Sequence, residues 1–262
     1  MQKEERKFCD SLVFEGMTSI RAIIKSIDAK TNDRHIEKIL FDTDKKQKIS
    51  KELGYFKAVS SIYGFEIIES SAEELEEITL GTSHGGIVAI TSGRSIPELT
   101  LDSPLSQNGF YTMIQGIEDP YNFGYSLRSL YAMGADGIIL PRRNWMSAAG
   151  VVCRSSAGAS ELFEMYQSDP EEAVRIFKNK GYNIVCADEN TDNILGECPL
   201  SLPILLIVGG EKRGISKAVL DMADILVKID YNREFRASLS AASATTMFAY
   251  EIMRQNKNNF ST

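Results

Sequence analysis

Apolar positions along this chain alternate between a helical and a strand-like period, segment by segment. In 19–27 the isoleucines Ile20, Ile23, Ile24 and Ile27 share one face of a 3.6-residue helix. The short apolar run 36–41 predicts a strand, and 45–54 a charged helix stopped by Gly54. A strand is expected at 64–68, then a capping box of Ser71 with Glu74 that opens an acidic helix, then a strand at 87–90. From about Ser92 to Gly109 the pattern dissolves into Gly, Ser, Pro, Asn and Asp, the composition of a linker.

Alternation then resumes. Strands are predicted at 111–116, 137–140, 182–187, 202–208 and 225–229. Helices are predicted at 122–133, from near Trp145, at 170–180, and from the small-residue stretch 238–242 onward. Helices crossing over between short apolar strands imply a mostly parallel sheet with helices on both faces. The fold class is therefore α/β, with a small N-terminal α/β domain at 1–92, a linker at 93–108 and a larger domain at 109–262. No internal repeat or low-complexity tract interrupts this.

Composition narrows the classes. No apolar run approaches the ~20 residues that cross a bilayer, and the first residues, Met-Gln-Lys-Glu-Glu-Arg-Lys, lack the apolar core of a secretory signal. Cys9, Cys153, Cys186 and Cys198 are widely spaced with no histidine beside them. They read as free thiols of a cytoplasmic protein, without metal. The net charge of −7 is unusual for a protein that grips phosphates, but local fields decide such encounters. Basic residues gather at Lys45, Lys46, Lys48 and Lys51, and again at Arg142, Arg143 and Arg154. Each cluster alone reads as a solvated helix face, so charge neither makes nor excludes an RNA partner.

Three tracts carry candidate chemistry. The first is Asp119-Pro120-Tyr121-Asn122-Phe123-Gly124, with Arg128 on the helix that follows; Asn122 sits at a favoured capping position. The second is Gly209-Gly210-Glu211-Lys212-Arg213-Gly214 after an apolar strand, where absent side chains let a ligand approach the backbone. The third is Ser238-Leu239-Ser240 before a helix of small residues. Arg128 alone reads as a surface arginine covering apolar neighbours, and Glu211 as a carboxylate facing a helix start. His84, between polar and glycine residues, suits a structural turn as well as an RNA contact, and neither it nor His35 has metal-ligand company.

In order and spacing the three tracts resemble the motifs of the SpoU/TrmH branch of the SPOUT RNA methyltransferases. The first matches D-P-x-N-x-G with its later arginine, and the second matches glycine, acid, glycine at Gly209, Glu211 and Gly214. Residues 155–159 and 81–87 resemble the family's small-residue segment and the tract that ends its auxiliary domain. The third tract departs from the family's S-L-N, because Ser240 stands where the asparagine would be.

The resemblance implies a SPOUT domain with a C-terminal trefoil knot, preceded by an RNA-binding domain. It implies S-adenosylmethionine as cofactor, bound through Gly209, Gly210, Ile229, Leu239 and Ser240, and methyl transfer to a ribose 2′-hydroxyl. Arg128 would stabilise the developing alkoxide, Asn122 would orient the ribose or Arg128, Glu211 would anchor a neighbouring loop, and Ser238 would help position the hydroxyl. The implied partners are structured RNA, ribosomal before transfer RNA, and a second copy of the chain in a homodimer. A fold retained for RNA binding with weak catalysis is the alternative that Ser240 keeps open. A generic doubly wound nucleotide enzyme would need a P-loop or dinucleotide fingerprint, and neither is present.

Overall fold

The computed structural model describes residues 12–79, 84–142, 148–210, 214–235 and 237–257. In chain order the first elements are β1 (Val13–Glu15), α1 (Gly16–Ala29), β2 (Ile36–Asp42), α2 (Ser50–Tyr63), β3 (Glu66–Ser70), α3 (Ala72–Ile78) and β4 (Ile87–Thr91). Then come β5 (Phe110–Gln115), α4 (Pro120–Ala132), β6 (Gly137–Leu140), α5 (Ala149–Ser155), α6 (Ala159–Leu162), β7 (Glu164–Gln167) and α7 (Pro170–Asn179). The last are β8 (Asn183–Ala187), β9 (Ile204–Gly209), α8 (Lys217–Leu220), β10 (Ile225–Val227) and α9 (Ala241–Gln255). The chain divides into two compact units, 1–95 with 145–162, and 96–144 with 163–262.

In the first unit a four-stranded sheet runs β1-β4-β2-β3, with β4 antiparallel to β1 and β2 and β3 parallel to β2. Its core joins Ile20, Ile23 and Ile24 of α1 to Phe14, Ile39, Phe41, Leu53, Phe56 and Ile87. Each such side chain contributes about 1.5–3 kcal/mol on leaving water. The isoleucines read as one helical face from the sequence are thus the buried face of α1. The capping box forms as expected: Ser71 Oγ accepts the Glu74 N–H at 3.2 Å and Glu74 Oε2 accepts the Ser71 N–H at 2.9 Å.

The expected helix at 45–54 is corrected. Thr43–Lys45 form a single 3₁₀ turn, and α2 runs from Ser50 through Gly54 to Tyr63. Leu53 and Phe56 are both buried and carry the apolar face past Gly54. The helix stops instead at Gly64, whose φ of +74° a side chain would resist. That left-handed cap also delays the next strand to Glu66.

The segment 148–162 clusters with this unit although it falls between β6 and β7 in sequence. The start expected near Trp145 lies outside the described residues; helix α5 begins at Ala149, and Ala149 and Cys153 enter the N-terminal core. Its small residues serve close packing. A Cβ on Gly150 would stand 2.1 Å from the Val13 carbonyl oxygen, and one on Gly158 would stand 2.4 Å from the Ala22 Cβ. An ion pair is sealed in here, Arg34 Nε donating to Glu161 Oε2 at 2.9 Å with side chains 2% and 0% exposed.

His84 is buried and its Nδ1 accepts the Gly86 N–H at 3.2 Å. Burial, and secondarily Lys45, lowers its pKa from the ordinary 6.5. A depressed folded-state pKa makes its contribution to stability present above 6.5 and lost as pH falls below it. Urea midpoints are therefore expected to fall more steeply below pH 6.5 for the native protein than for His84→Gln; parallel curves would refute this.

The second unit holds a six-stranded sheet in the order β10-β8-β9-β5-β6-β7, parallel throughout. Tyr111, Met113, Ile139, Ile184, Cys186, Leu205 and Ile207 face α7 and α8 on one side. By strand alternation Phe110, Ile114, Ile138, Leu206 and Val208, also buried, face the other, where α9 packs on β9 and α4. Helices cover both faces, as all-parallel strands require. Cys153 and Cys186 are free, buried thiols, and burial pushes Cys186 up to about 12. No described helix is long and apolar enough to cross a membrane.

Candidate active site

Strands β5 and β9 lie side by side in register, Gln115 opposite Gly209, so the loops that follow them emerge together. Here the strand order reverses: β6 and β7 lie on one side of β5, and β9, β8 and β10 on the other. Ligands of open parallel sheets bind outside the carboxyl ends of strands at such a point. The Gly210 N–H donates to the Gln115 carbonyl at 2.7 Å, and the Ser216 N–H to Gln115 Oε1 at 2.9 Å. Gly210 and Gly214 form an antiparallel bridge.

The glycines here also have a packing purpose. A Cβ on Gly210 would lie 2.2 Å from the Gly116 carbonyl oxygen, and one on Gly209 2.7 Å from the Gly214 Cα. The space freed by the missing side chains is taken by neighbouring backbone, which brings the two loops into contact. Gly210→Ala is thus expected to cost about 1–3 kcal/mol of stability and to impair any ligand binding at this edge. Calorimetric melting together with ligand titration checks it, and unaltered values for both would refute it.

Beyond β5 the chain enters α4 through Asp119, not Asn122. The Asp119 carboxylate accepts the N–H groups of Tyr121 at 3.2 Å and Asn122 at 3.1 Å, with Pro120 at the first helical position. Such a cap is worth about 1 kcal/mol. The expected cap at Asn122 is corrected accordingly, since a carboxylate one residue before proline already satisfies these donors. Tyr121, Tyr125 and Arg128 form the exposed stripe of α4, while Phe123, Leu127 and Leu130 are buried. Helix α9 packs alongside, Thr246 Oγ1 donating to Ser129 Oγ at 2.7 Å.

A cavity of about 550 Å³ opens at the carboxyl ends of β8, β9 and β10. Gly209, Gly210, Ile229, Ser238 and Leu239 line it, with Asp188, Glu189, Asp230, Tyr231 and Phe235. Phe248 of α9 also contributes to its wall. Among the described residues, four carboxylates (Asp188, Glu189, Asp230, Glu234) line it with Lys228 and Arg233. Backbone walls, an apolar patch and several carboxylates suit a ligand of drug-like size bearing a ring and polar groups.

The profile of the SpoU rRNA methylase family matches residues 109–250, more than half of the chain. The chain belongs to that family. A 23S rRNA (guanosine-2′-O-)-methyltransferase RlmB of Shewanella oneidensis is 28% identical over 246 residues, covering 92% of this chain and 96% of the relative. The namesake of Photobacterium profundum is 28% identical over 199 residues, or 74% of this chain and 80% of its own. The crystal structure of the SpoU methyltransferase AviRb from Streptomyces viridochromogenes, in complex with the cofactor AdoMet, superposes with a TM-score of 0.76. It is 22% identical over 96% of this chain and 97% of that one, and shares the fold.

Against the SpoU motifs, the second and third tracts meet in one cavity, whereas Arg128 and Asn122 are not on its wall. Glu211 lies outside the described residues. Ser240, which replaces the family's asparagine, is the N-cap of α9: its Oγ accepts the Ser243 N–H at 3.2 Å, and it is absent from the cavity lining. Asp188, Glu189 and Asp230 carry no sequence motif that marked them, while Tyr231 and Phe235 belong to a charged tract that reads equally as a phosphate contact or a solvated loop. For the first two a signal was available, since a carboxylate just past the end of an apolar strand is a common ligand contact in doubly wound sheets.

Proposed function

We infer that this SpoU-family protein is an S-adenosylmethionine-dependent methyltransferase acting on a ribose 2′-hydroxyl of ribosomal RNA. The observation that carries this reading is the cavity at the carboxyl ends of β8, β9 and β10, where residues of two family motifs meet. The near full-length likeness to RlmB supports ribosomal over transfer RNA. The cavity fits the cofactor: Gly209, Gly210, Ile229 and Leu239 would hold its ring through main-chain atoms, and the carboxylates suit its positive charge.

When bound, S-adenosylmethionine supplies a methyl group on sulfonium sulfur that is already electrophilic. The protein's task is to align the ribose oxygen and support its loss of a proton. Arg128, through its guanidinium, stabilises the developing alkoxide. Asn122, on the first turn of the same helix, orients the ribose or that guanidinium, and Ser238 on the cavity wall positions the hydroxyl.

A homodimer belongs to this reading. Tyr121, Tyr125, Met247 and Tyr250 leave large apolar surfaces exposed on the packed pair α4 and α9, the face we assign to a second copy. Arg128 shares that face and is missing from its own chain's cavity wall, so each copy would complete the other's site. Return of the chain from edge strand β10 to α9 against β9 and α4 is the path a C-terminal knot would follow.

The N-terminal unit is assigned to RNA binding. Lys48, Lys51 and Tyr55 are exposed, and the Arg21 guanidinium lies 5.8 Å from the Tyr55 ring centre. A planar cation on an aromatic beside free lysines suits phosphates and unstacked bases. The enzyme is placed in the cytoplasm, where its RNA and reduced thiols belong. Titration calorimetry with S-adenosylmethionine, followed by methylation of 23S and transfer RNA transcripts, tests the whole. Binding with 2′-O-methylation of the ribosomal transcript is expected; neither binding nor transfer would end the reading.

A further inference from the structure

We propose that Tyr231 is a positioning residue for cofactor binding, its hydroxyl fixing the loop that walls the cavity; this rests on the functional reading above. Between β10 and α9 the described residues form no helix or strand, yet Arg233, Glu234, Phe235, Ser238 and Leu239 from this stretch all line the cavity. A wall built from irregular backbone needs cross-links to hold one shape, because each unfastened residue keeps its conformational entropy.

One cross-link is in place. The Leu239 N–H donates to Tyr231 Oη at 3.2 Å, tying together two residues eight apart in sequence that both line the cavity. The Phe235 ring stands edge-on to Tyr231, with centres 6.1 Å apart, and supports the phenol from inside the same loop. Ser240, the neighbouring hydroxyl that could otherwise fasten this turn, is committed to capping α9. Tyr231 itself is 36% exposed and sits outside the core clusters, so folding of the sheet does not depend on it. The hydrogen bond therefore serves the geometry of the cavity.

The test compares wild type with Tyr231→Phe in the full chain, a change that keeps the ring and deletes the acceptor. Titration calorimetry with S-adenosylmethionine and S-adenosylhomocysteine is expected to show Kd raised about two- to tenfold, the worth of one neutral hydrogen bond. The KM for S-adenosylmethionine rises with the Kd, and the melting temperature stays unchanged. Tryptic cleavage after Arg233 is expected to accelerate as the loop loosens. Wild-type binding with an unchanged or lowered Kd in the variant would overturn the proposal alone; a lowered Kd would mean that the hydroxyl competes with the ligand. Failure of the wild type to bind either compound would instead overturn the functional reading on which the proposal stands.

Discussion

Arg128→Ala is expected to lower methyl transfer by about 10²–10³-fold while leaving affinity for the cofactor within about twofold of wild type. The expectation combines the exposure of the guanidinium with its absence from the cavity of its own chain. Helix α4 is held independently of it, by the Asp119 cap, by buried Leu127 and Leu130, and by the Thr246–Ser129 bond to α9. Truncating Arg128 should thus change stability by no more than about 0.5 kcal/mol. Arg128→Lys should recover only part of the rate, since an ammonium keeps the charge and loses the planar fork. Single-turnover methylation of ribosomal transcripts, alongside calorimetric cofactor titration, provides the measurement. Mixing Arg128→Ala with Gly210→Ala protein should restore activity if the arginine acts across the dimer. Wild-type turnover in Arg128→Ala would remove this residue from the mechanism.

The second large effect is on stability. Glu161→Ala is expected to destabilise the N-terminal unit by about 3–5 kcal/mol, because it leaves a buried guanidinium without its counter-charge. Arg34 is 3% exposed; beyond Glu161 its bonds run to Thr91 Oγ1 at 3.3 Å and the Ser92 carbonyl at 2.7 Å, both neutral acceptors. Its guanidinium also lies 4.6 Å from the Phe14 ring centre, inside the core. Glu161 Oε1 has no hydrogen-bond partner within the described residues, so the pair is not a fully satisfied network. Arg34→Met combined with Glu161→Leu should consequently recover much of the loss. Urea unfolding followed by circular dichroism would report it, and a loss below about 1 kcal/mol for the single variant would count against this account. The Arg34–Glu161 pair fastens residues 159–162 to the first unit, together with bonds from Thr31 at 3.0 Å and Asn32 at 2.8 Å to the Glu161 carbonyl.

Much of the fold was legible because periodicity reports burial. The isoleucines of α1, the box at Ser71 and Glu74, and the alternation from β5 to β10 need only neighbouring residues to declare themselves. What escaped were elements of three or four residues, β1, β7, α6 and α8, too short to establish a period. Gly54 misled because a glycine can sit within a helix when Leu53 and Phe56 hold its apolar face.

From the sequence by itself came the family, the parallel α/β class and the tracts around Gly209 and Leu239, since each rests on residue type and spacing along the chain. Tertiary structure alone decided that Asp119 caps α4, that Ser240 caps α9, and that neighbouring backbone fills the space beside Gly210. It alone joined Glu161 to Arg34 and gathered Asp188, Tyr231 and Phe235 around one cavity. Those outcomes depend on which groups meet across long stretches of chain, and hydrogen bonding and close packing are settled only when the partners are in place.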